Sequence, residues 1–156
     1  TRRNNGGIER YCMIRKATAL DISALILMLD TMHKETEVEL PKINIVKLVD
    51  KVNQLIHTGL VLVSIKDNKI QGSIGGLISQ DWWSDEKFIA DAWFYVFKEQ
   101  RKSDVAKSLL ADYIKKAKDA KLKIRLGHIF SGDLERKDKL FTRMGFIKAG
   151  SVFVEA

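Results

Sequence analysis

The stretch Tyr95-Val96-Phe97-Lys98-Glu99-Gln100-Arg101-Lys102-Ser103-Asp104-Val105-Ala106 joins an apolar run to a helical pattern through a short basic loop. Upstream, Phe88 to Phe97 is apolar on both faces except at Asp91. A strand of that kind belongs in the middle of a sheet, covered by helices on each side. Downstream, Val105, Leu109, Leu110, Tyr113 and Ala117 recur at helical spacing, which predicts a helix over Ser103 to Ala120. The first turn of a helix leaves N–H groups unpaired and carries partial positive charge. A buried strand running straight into such a turn builds an anion site, and Arg101 and Lys102 would strengthen it toward phosphate.

The rest of the chain supplies the layers around this junction. Residues 1–10, with Asn4-Asn5-Gly6-Gly7, read as a flexible leader, and Tyr11 to Arg15 as a short strand. Thr18 and Asp21 form a capping-box pair ahead of a helix that runs to about His33. Glu35 to Glu39 and Pro41 break the pattern. A second helix then spans Ile43 to His57, with Val46, Val49, Val52, Leu55 and Ile56 inward and Gly59 as its stop. Leu60 to Ile65 and Ile70 to Ser79 form a hairpin about Lys66-Asp67-Asn68-Lys69, and Gly72, Gly75 and Gly76 point to bulging or close backbone approach. After the main helix, Leu122 to Phe130 reads as strand, Asp133 to Met144 as helix and Phe146 to Val154 as a closing strand. The order gives one domain over 1–156, a mixed α/β sheet.

Composition narrows the function classes. With 46% apolar and 30% charged residues in 156, the chain is an ordinary globular domain with a real core. Ala24 to Leu29, an apolar run as long as any in the sequence, is too short to span a bilayer, and no export signal opens the sequence. A cytoplasmic protein is expected. One cysteine, Cys12, excludes an internal disulfide, and three scattered histidines show no metal-ligand spacing. The net charge of +7 lies wholly in the last third: residues 1–100 hold 13 basic and 13 acidic side chains, residues 101–156 hold 14 and 7. A one-sided basic surface suits a polyanion, whether nucleic acid or a phosphate-rich ligand, and equally a solvated helix face.

The junction resembles the GNAT acetyltransferases, whose central pattern is a Val, a short loop and Arg/Gln-x-x-Gly-x-Gly/Ala opening the main helix. Val96, Arg101 and Ala106 match it, and Leu140-Phe141-Thr142-Arg143-Met144-Gly145-Phe146 looks like that family's closing Leu-Tyr-x-x-x-Gly-Phe. The element order fits from roughly Met13 to Val154. The texture of the Trp82-Trp83-Ser84-Asp85 loop and of Trp93 to Val96 also resembles small phage-encoded members. The resemblance implies a mostly antiparallel sheet flanked by helices on both faces, with acetyl-CoA or another acyl-CoA as co-substrate and no metal. Its pyrophosphate would lie on the amides of Arg101, Lys102, Ser103, Asp104, Val105 and Ala106. Its pantetheine would pair with the backbone of Phe94, Tyr95 and Val96, and Ser131 would contact the same arm. A small-molecule or peptide amine would then attack the thioester directly, with a strand amide polarising the oxygen.

Two positions depart from the pattern. Asp104 stands at the middle glycine, and Phe141 where many members carry the tyrosine that protonates the departing thiolate. For the proton of the attacking ammonium, Asp91 is the first candidate as the lone charge of the central strand, and Glu86 the second. Both also read as ordinary acids. Trp82 and Trp83 would wall the acceptor pocket or merely close their loop. His128 reads as a core histidine. Ser151 to Glu155 could pair across a homodimer. The alternative function is a GNAT-fold binding module, impaired by Asp104 and Phe141, that meets nucleic acid through its basic last third. No membrane partner is expected.

Overall fold

The computed structural model describes residues 12–127 and 134–156. Five strands form one sheet in chain order: β1 (Met13–Lys16), β2 (Leu60–Lys66), β3 (Lys69–Gln80), β4 (Lys87–Val96) and β5 (Lys123–Arg125). All neighbours are antiparallel except β4 and β5. The helices are α1 (Ile22–Lys34), α2 (Ile45–Thr58), α3 (Val105–Asp119) and α4 (Leu134–Arg143).

Local chemistry sets the starts and turns. Asp21 Oδ2 accepts the Thr18 N–H at 2.8 Å, closing the expected capping box over a single 3₁₀ turn ahead of α1. Arg15 grips the same carboxylate at 2.7 and 2.9 Å and holds it below the usual aspartate range. The Asn44 side chain caps α2 on the Lys47 N–H. That helix begins two residues later than the pattern predicts, and Val46, expected inward, is 71% exposed because it lies on the face opposite Leu48, Val52 and Leu55. At the β2–β3 turn, Asp67 and Asn68 take φ of 51° and 59°, the pair of left-handed residues a two-residue hairpin requires.

Helices cover both faces. On one, α1 and α2 bury Leu25, Met28, Val52 and Leu55 against Val61, Val63, Trp93 and Tyr95. On the other, α3 buries Leu109, Leu110 and Tyr113 against Leu62, Ile74, Ile89, Phe94 and Val96. β4 therefore feeds both cores, as its double apolarity predicts. Gly76 is glycine because a Cβ there would come within 2.5 Å of the Tyr113 hydroxyl and 2.7 Å of Ile89.

A bulge divides β4. Gly76 pairs with Asp91 and Gly75 with Trp93, so Ala92 has no partner residue on β3. The extra residue shifts the side-chain alternation. Ile89 faces the α3 side before the bulge and Phe94 and Val96 face that side after it, at positions of opposite parity.

The strand predicted over Phe146 to Val154 does not form. Gly145, at φ 93°, ends α4, and the Phe146 and Gly145 amides turn back to the Phe141 and Thr142 carbonyls at 3.0 and 3.1 Å. Residues 147–156 are exposed, Phe153 to 91%. Their alternation gives strand-like sequence, but a strand needs a partner ladder and none meets them among the described residues. Of the strand predicted over Leu122 to Phe130, the described residues pair as Lys123–Arg125, and His128 and Phe130 lie outside the described residues.

Candidate functional site

Among the described residues β5 accompanies β4 only at Phe88, Ile89 and Ala90. Beyond the bulge β4 keeps β3 on one side, and its other edge opens on a cavity of about 460 Å3. Backbone groups alternate in direction along a strand. Phe94 and Val96 are the residues that face the cavity: their carbonyls accept from Lys137 Nζ at 2.6 Å and Arg101 Nε at 3.0 Å. In an extended strand the N–H of each residue points the same way as its carbonyl, so the same two residues present donors on this edge.

The start of α3 forms a second wall. In the loop before it, the Arg101 and Ser103 amides are spent on turns to the Lys98 and Gln100 carbonyls, and the Val105 amide bonds the Ser103 hydroxyl at 3.3 Å. The amides of Lys102, Asp104, Ala106 and Lys107 make no hydrogen bond among the described residues. One face of α4 forms the third wall with Arg136, Lys137, Lys139, Leu140, Arg143 and Met144. The Arg136 guanidinium also donates to the Arg101 carbonyl and ties that helix to the loop. Together with Arg101 and Lys107, these side chains make the lining strongly cationic, with Glu35 its one carboxylate among the described residues.

Glu35, just past α1, closes the remaining side. Its Oε1 accepts the Tyr95 hydroxyl at 2.6 Å and its Oε2 accepts from Arg101 at 2.6 Å. Burial pushes its carboxyl up, but Tyr95, Arg101 and the more distant Lys98 together leave it below the ordinary glutamate value. The Tyr95 phenol is raised, first by burial and then by Glu35. Lys137 shows the reverse for a base. Burial and the nearby Arg101 lower its ammonium to about 8, with Asp91 partly opposing them.

The expected site residues divide by position. Phe94, Tyr95, Val96, Arg101, Ser103 and Ala106 line the cavity. Arg101, expected to meet phosphate, has its guanidinium on Glu35 and the Val96 carbonyl instead. Lys102 and Asp104 are exposed, and the Asp104 side chain makes no cap bond to α3. Val105 is buried in the core below. Phe141 is 8% exposed and stacks on Phe94 with ring centroids 6.2 Å apart, behind the cavity rather than on its surface. Ser131 lies outside the described residues.

Asp91 is half-buried at the bulge, where its Oδ1 accepts the Gly127 N–H at 2.7 Å. It faces the α3 side, close enough to raise the buried Tyr113 phenol further and to act on Lys137. Glu86 is exposed and lies 3.9 Å from Lys123. Trp82 and Trp83 are 96% and 68% exposed on the loop before β4. The strand from Lys87 to Phe94 separates them from the cavity, about 23 Å at ~3.3 Å per residue, and they are not among the residues that line it.

Glu35 and the cations of α4 are the residues sequence reasoning missed. Glu35 is one of three acids in a break and has no local mark. The α4 cations were visible only as part of the basic last third. Their spacing, with Arg136, Lys139, Leu140 and Arg143 on one helical face, was the available signal.

No protein-family model and no curated protein sequence matches the chain. Solved structures do. A predicted acetyltransferase with acetyl-CoA from Clostridium acetobutylicum is similar with a TM-score of 0.73 at 18% identity, over 93% of this chain and 96% of that one. AAC(6')-Iy, in complex with the bisubstrate analogue CoA-S-monomethyl-acetylneamine, gives 0.75 at 12% identity over 94% and 97%. A GNAT family acetyltransferase from Staphylococcus aureus gives 0.64 at 21% identity over 94% and 98%. The fold is the GNAT fold. The five-stranded, mostly antiparallel sheet with helices on both faces is its architecture here. Among the described residues no helix is long and apolar enough to cross a membrane.

Proposed function

We propose that this GNAT-fold chain is an N-acyltransferase that moves an acetyl or other acyl group from acyl-CoA to a primary amine. The observation that carries the reading is the edge of β4 at Phe94 and Val96, which no strand among the described residues pairs, meeting unbonded amides at the start of α3 in one cation-lined cavity. A ligand with peptide-like amides and phosphates matches both halves of that arrangement. The amides add to a strand edge, and the phosphates meet a helix N-terminus and fixed cations. The cavity volume lies within the ordinary range for small-ligand sites, about 300–1,000 Å3. Neighbours that hold acetyl-CoA and a CoA bisubstrate analogue on the same fold support the choice of ligand.

In this reading the Phe94 N–H polarises the thioester carbonyl and the amine attacks its carbon directly. Asp91, on the same face of β4 beyond the bulge, takes the proton the ammonium must lose. Phosphates meet Lys107, Arg143 and the free amides of Ala106 and Lys107. Asp104 projects into solvent and leaves those amides accessible. Glu86 and the tryptophan loop lie at the far end of β4 and have no part in the chemistry.

Titration with acetyl-CoA by calorimetry, beside desulfo-CoA and a Lys107→Glu/Arg143→Glu variant, tests this. Saturable binding of both ligands, weakened at least about tenfold by charge reversal, is expected. No heat at millimolar acetyl-CoA overturns the reading and turns the cationic face toward nucleic acid.

A further inference from the structure

We infer that Lys137 is itself an acyl acceptor: its Nζ, held against the free edge of β4, takes the acyl group from bound acyl-CoA and becomes an N-acyl-lysine. The inference rests on the acyl-CoA reading above and adds a modification site to it.

The geometry is specific to this lysine. Lys137 Nζ lies 2.6 Å from the carbonyl of Phe94, the residue whose own N–H faces the same edge and would polarise the thioester. It also sits over the Phe94 ring, 5.4 Å from its centroid, so the long side chain is laid along the strand rather than extended into solvent. One N–H is used on the carbonyl, which orients the nitrogen and leaves a lone pair for attack once the amine is neutral. Burial, with Arg101 adding to it and Asp91 opposing, brings the ammonium down to about 8, so a useful fraction is neutral near physiological pH. An ordinary lysine, at about 10.4, is almost wholly protonated there. Lys107 and Lys139 line the same cavity but are exposed, and neither bonds the strand. Prepositioning of an amine beside a bound electrophile turns a bimolecular reaction into an intramolecular one.

The step balances without a further reactant. The lone pair of Lys137 Nζ attacks the thioester carbon and the N–C bond forms. The C–S bond breaks and sulfur leaves with its electron pair. The proton lost by nitrogen passes to the thiolate, giving an amide and a free thiol. The amide is not a thioester and does not pass its acyl group on. It removes one cation and fills the groove beside Phe94, so the modified chain binds acyl-CoA more weakly.

The test incubates the purified chain with acetyl-CoA near pH 8 and follows intact mass and the modified peptides. One acetyl increment at Lys137 is expected, forming at least about tenfold faster than at Lys107 or Lys139, saturating with acetyl-CoA and suppressed by excess desulfo-CoA. Lys137→Arg keeps a cation and removes the nucleophile, and the fast increment should vanish at acetyl-CoA concentrations that saturate the variant, as fixed by its own desulfo-CoA titration. Calorimetric binding of acetyl-CoA with Lys137 unmodified, or modified no faster than Lys107 and Lys139, overturns self-acylation and leaves the transferase reading standing. Absence of binding overturns both.

Discussion

The two halves of β4 are built from similar residues and do different work. From Phe88 to Ala90 the strand has β3 on one side and β5 on the other. From Trp93 to Val96 it has β3 alone among the described residues, and its second edge is held by two side chains, Lys137 and Arg101. In the first half every ladder position is a structural bond between strands. In the second, backbone donors and acceptors remain within reach of a ligand, and cations from three directions meet there. The same apolar sequence is core in one half and site in the other, and Ala92 is the hinge between them.

Removal of that hinge is the harshest test. Deletion of Ala92 restores simple alternation and forces one half of β4 to present its side chains to the wrong core. A loss above about 4 kcal/mol, or failure to unfold cooperatively, is expected in urea titration. A loss of less than about 1 kcal/mol would mean that the two halves are not separated by register at all.

Gly76→Ala probes the fully paired half alone. Its new Cβ meets the Tyr113 hydroxyl and Ile89, and overpacking of that kind costs about 1–3 kcal/mol. Desulfo-CoA affinity should hold in the fraction that remains folded. Joint loss of stability and affinity would merge the halves into one unit.

Lys137→Met probes the open half. In the native protein the Lys137 ammonium is lowered to about 8, so the folded chain releases a proton that the unfolded chain keeps until about 10.4. The unfolded state therefore binds more protons between those values, and stability rises with pH across that window. The variant should lose that slope and gain about 1–2 kcal/mol at pH 7, where burial penalises the charge. Unfolding curves from pH 7 to 10 would show it, and an unchanged slope would place the lysine in solvent.

Glu35→Gln has the smallest expected effect, about 1 kcal/mol, at the edge of the same half. The native carboxyl is lowered overall, so its contribution is present above the usual glutamate range and lost as pH falls through the lowered value. The acid limb of the stability curve should flatten in the variant, with the Arg101 guanidinium released from its partner.

Much of this was legible without a structure. The capping box at Thr18 and Asp21, the stripe of α3, the Asp67-Asn68 turn and the double apolarity of β4 are local patterns with local causes. They fixed the element order, and with the Arg101–Ala106 and Leu140–Phe146 motifs they pointed to the fold the neighbours share. The errors are equally physical. Phe146 to Val154 has strand periodicity but no ladder to join, because pairing is a property of two segments. For Trp82 and Trp83 the sequence left two readings open, an acceptor-pocket wall or a loop closure, and only the length of β4 places them away from the cavity at its other end.

By itself the sequence determined most of the helices and strands, that β4 is central, and that the loop after it carries positive charge. Those follow from side-chain period and composition, which a chain carries wherever it goes. The tertiary structure decided the site. The bulge at Ala92 turns Asp91 and Phe94 to one face although they lie three residues apart. Among the described residues no strand continues β5 along the Phe94 and Val96 edge. Packing alone brings Glu35 to Arg101 and Lys137 to the Phe94 carbonyl. Each is a meeting of residues distant in sequence, or a one-residue shift of register, and neither leaves a periodic trace in the chain.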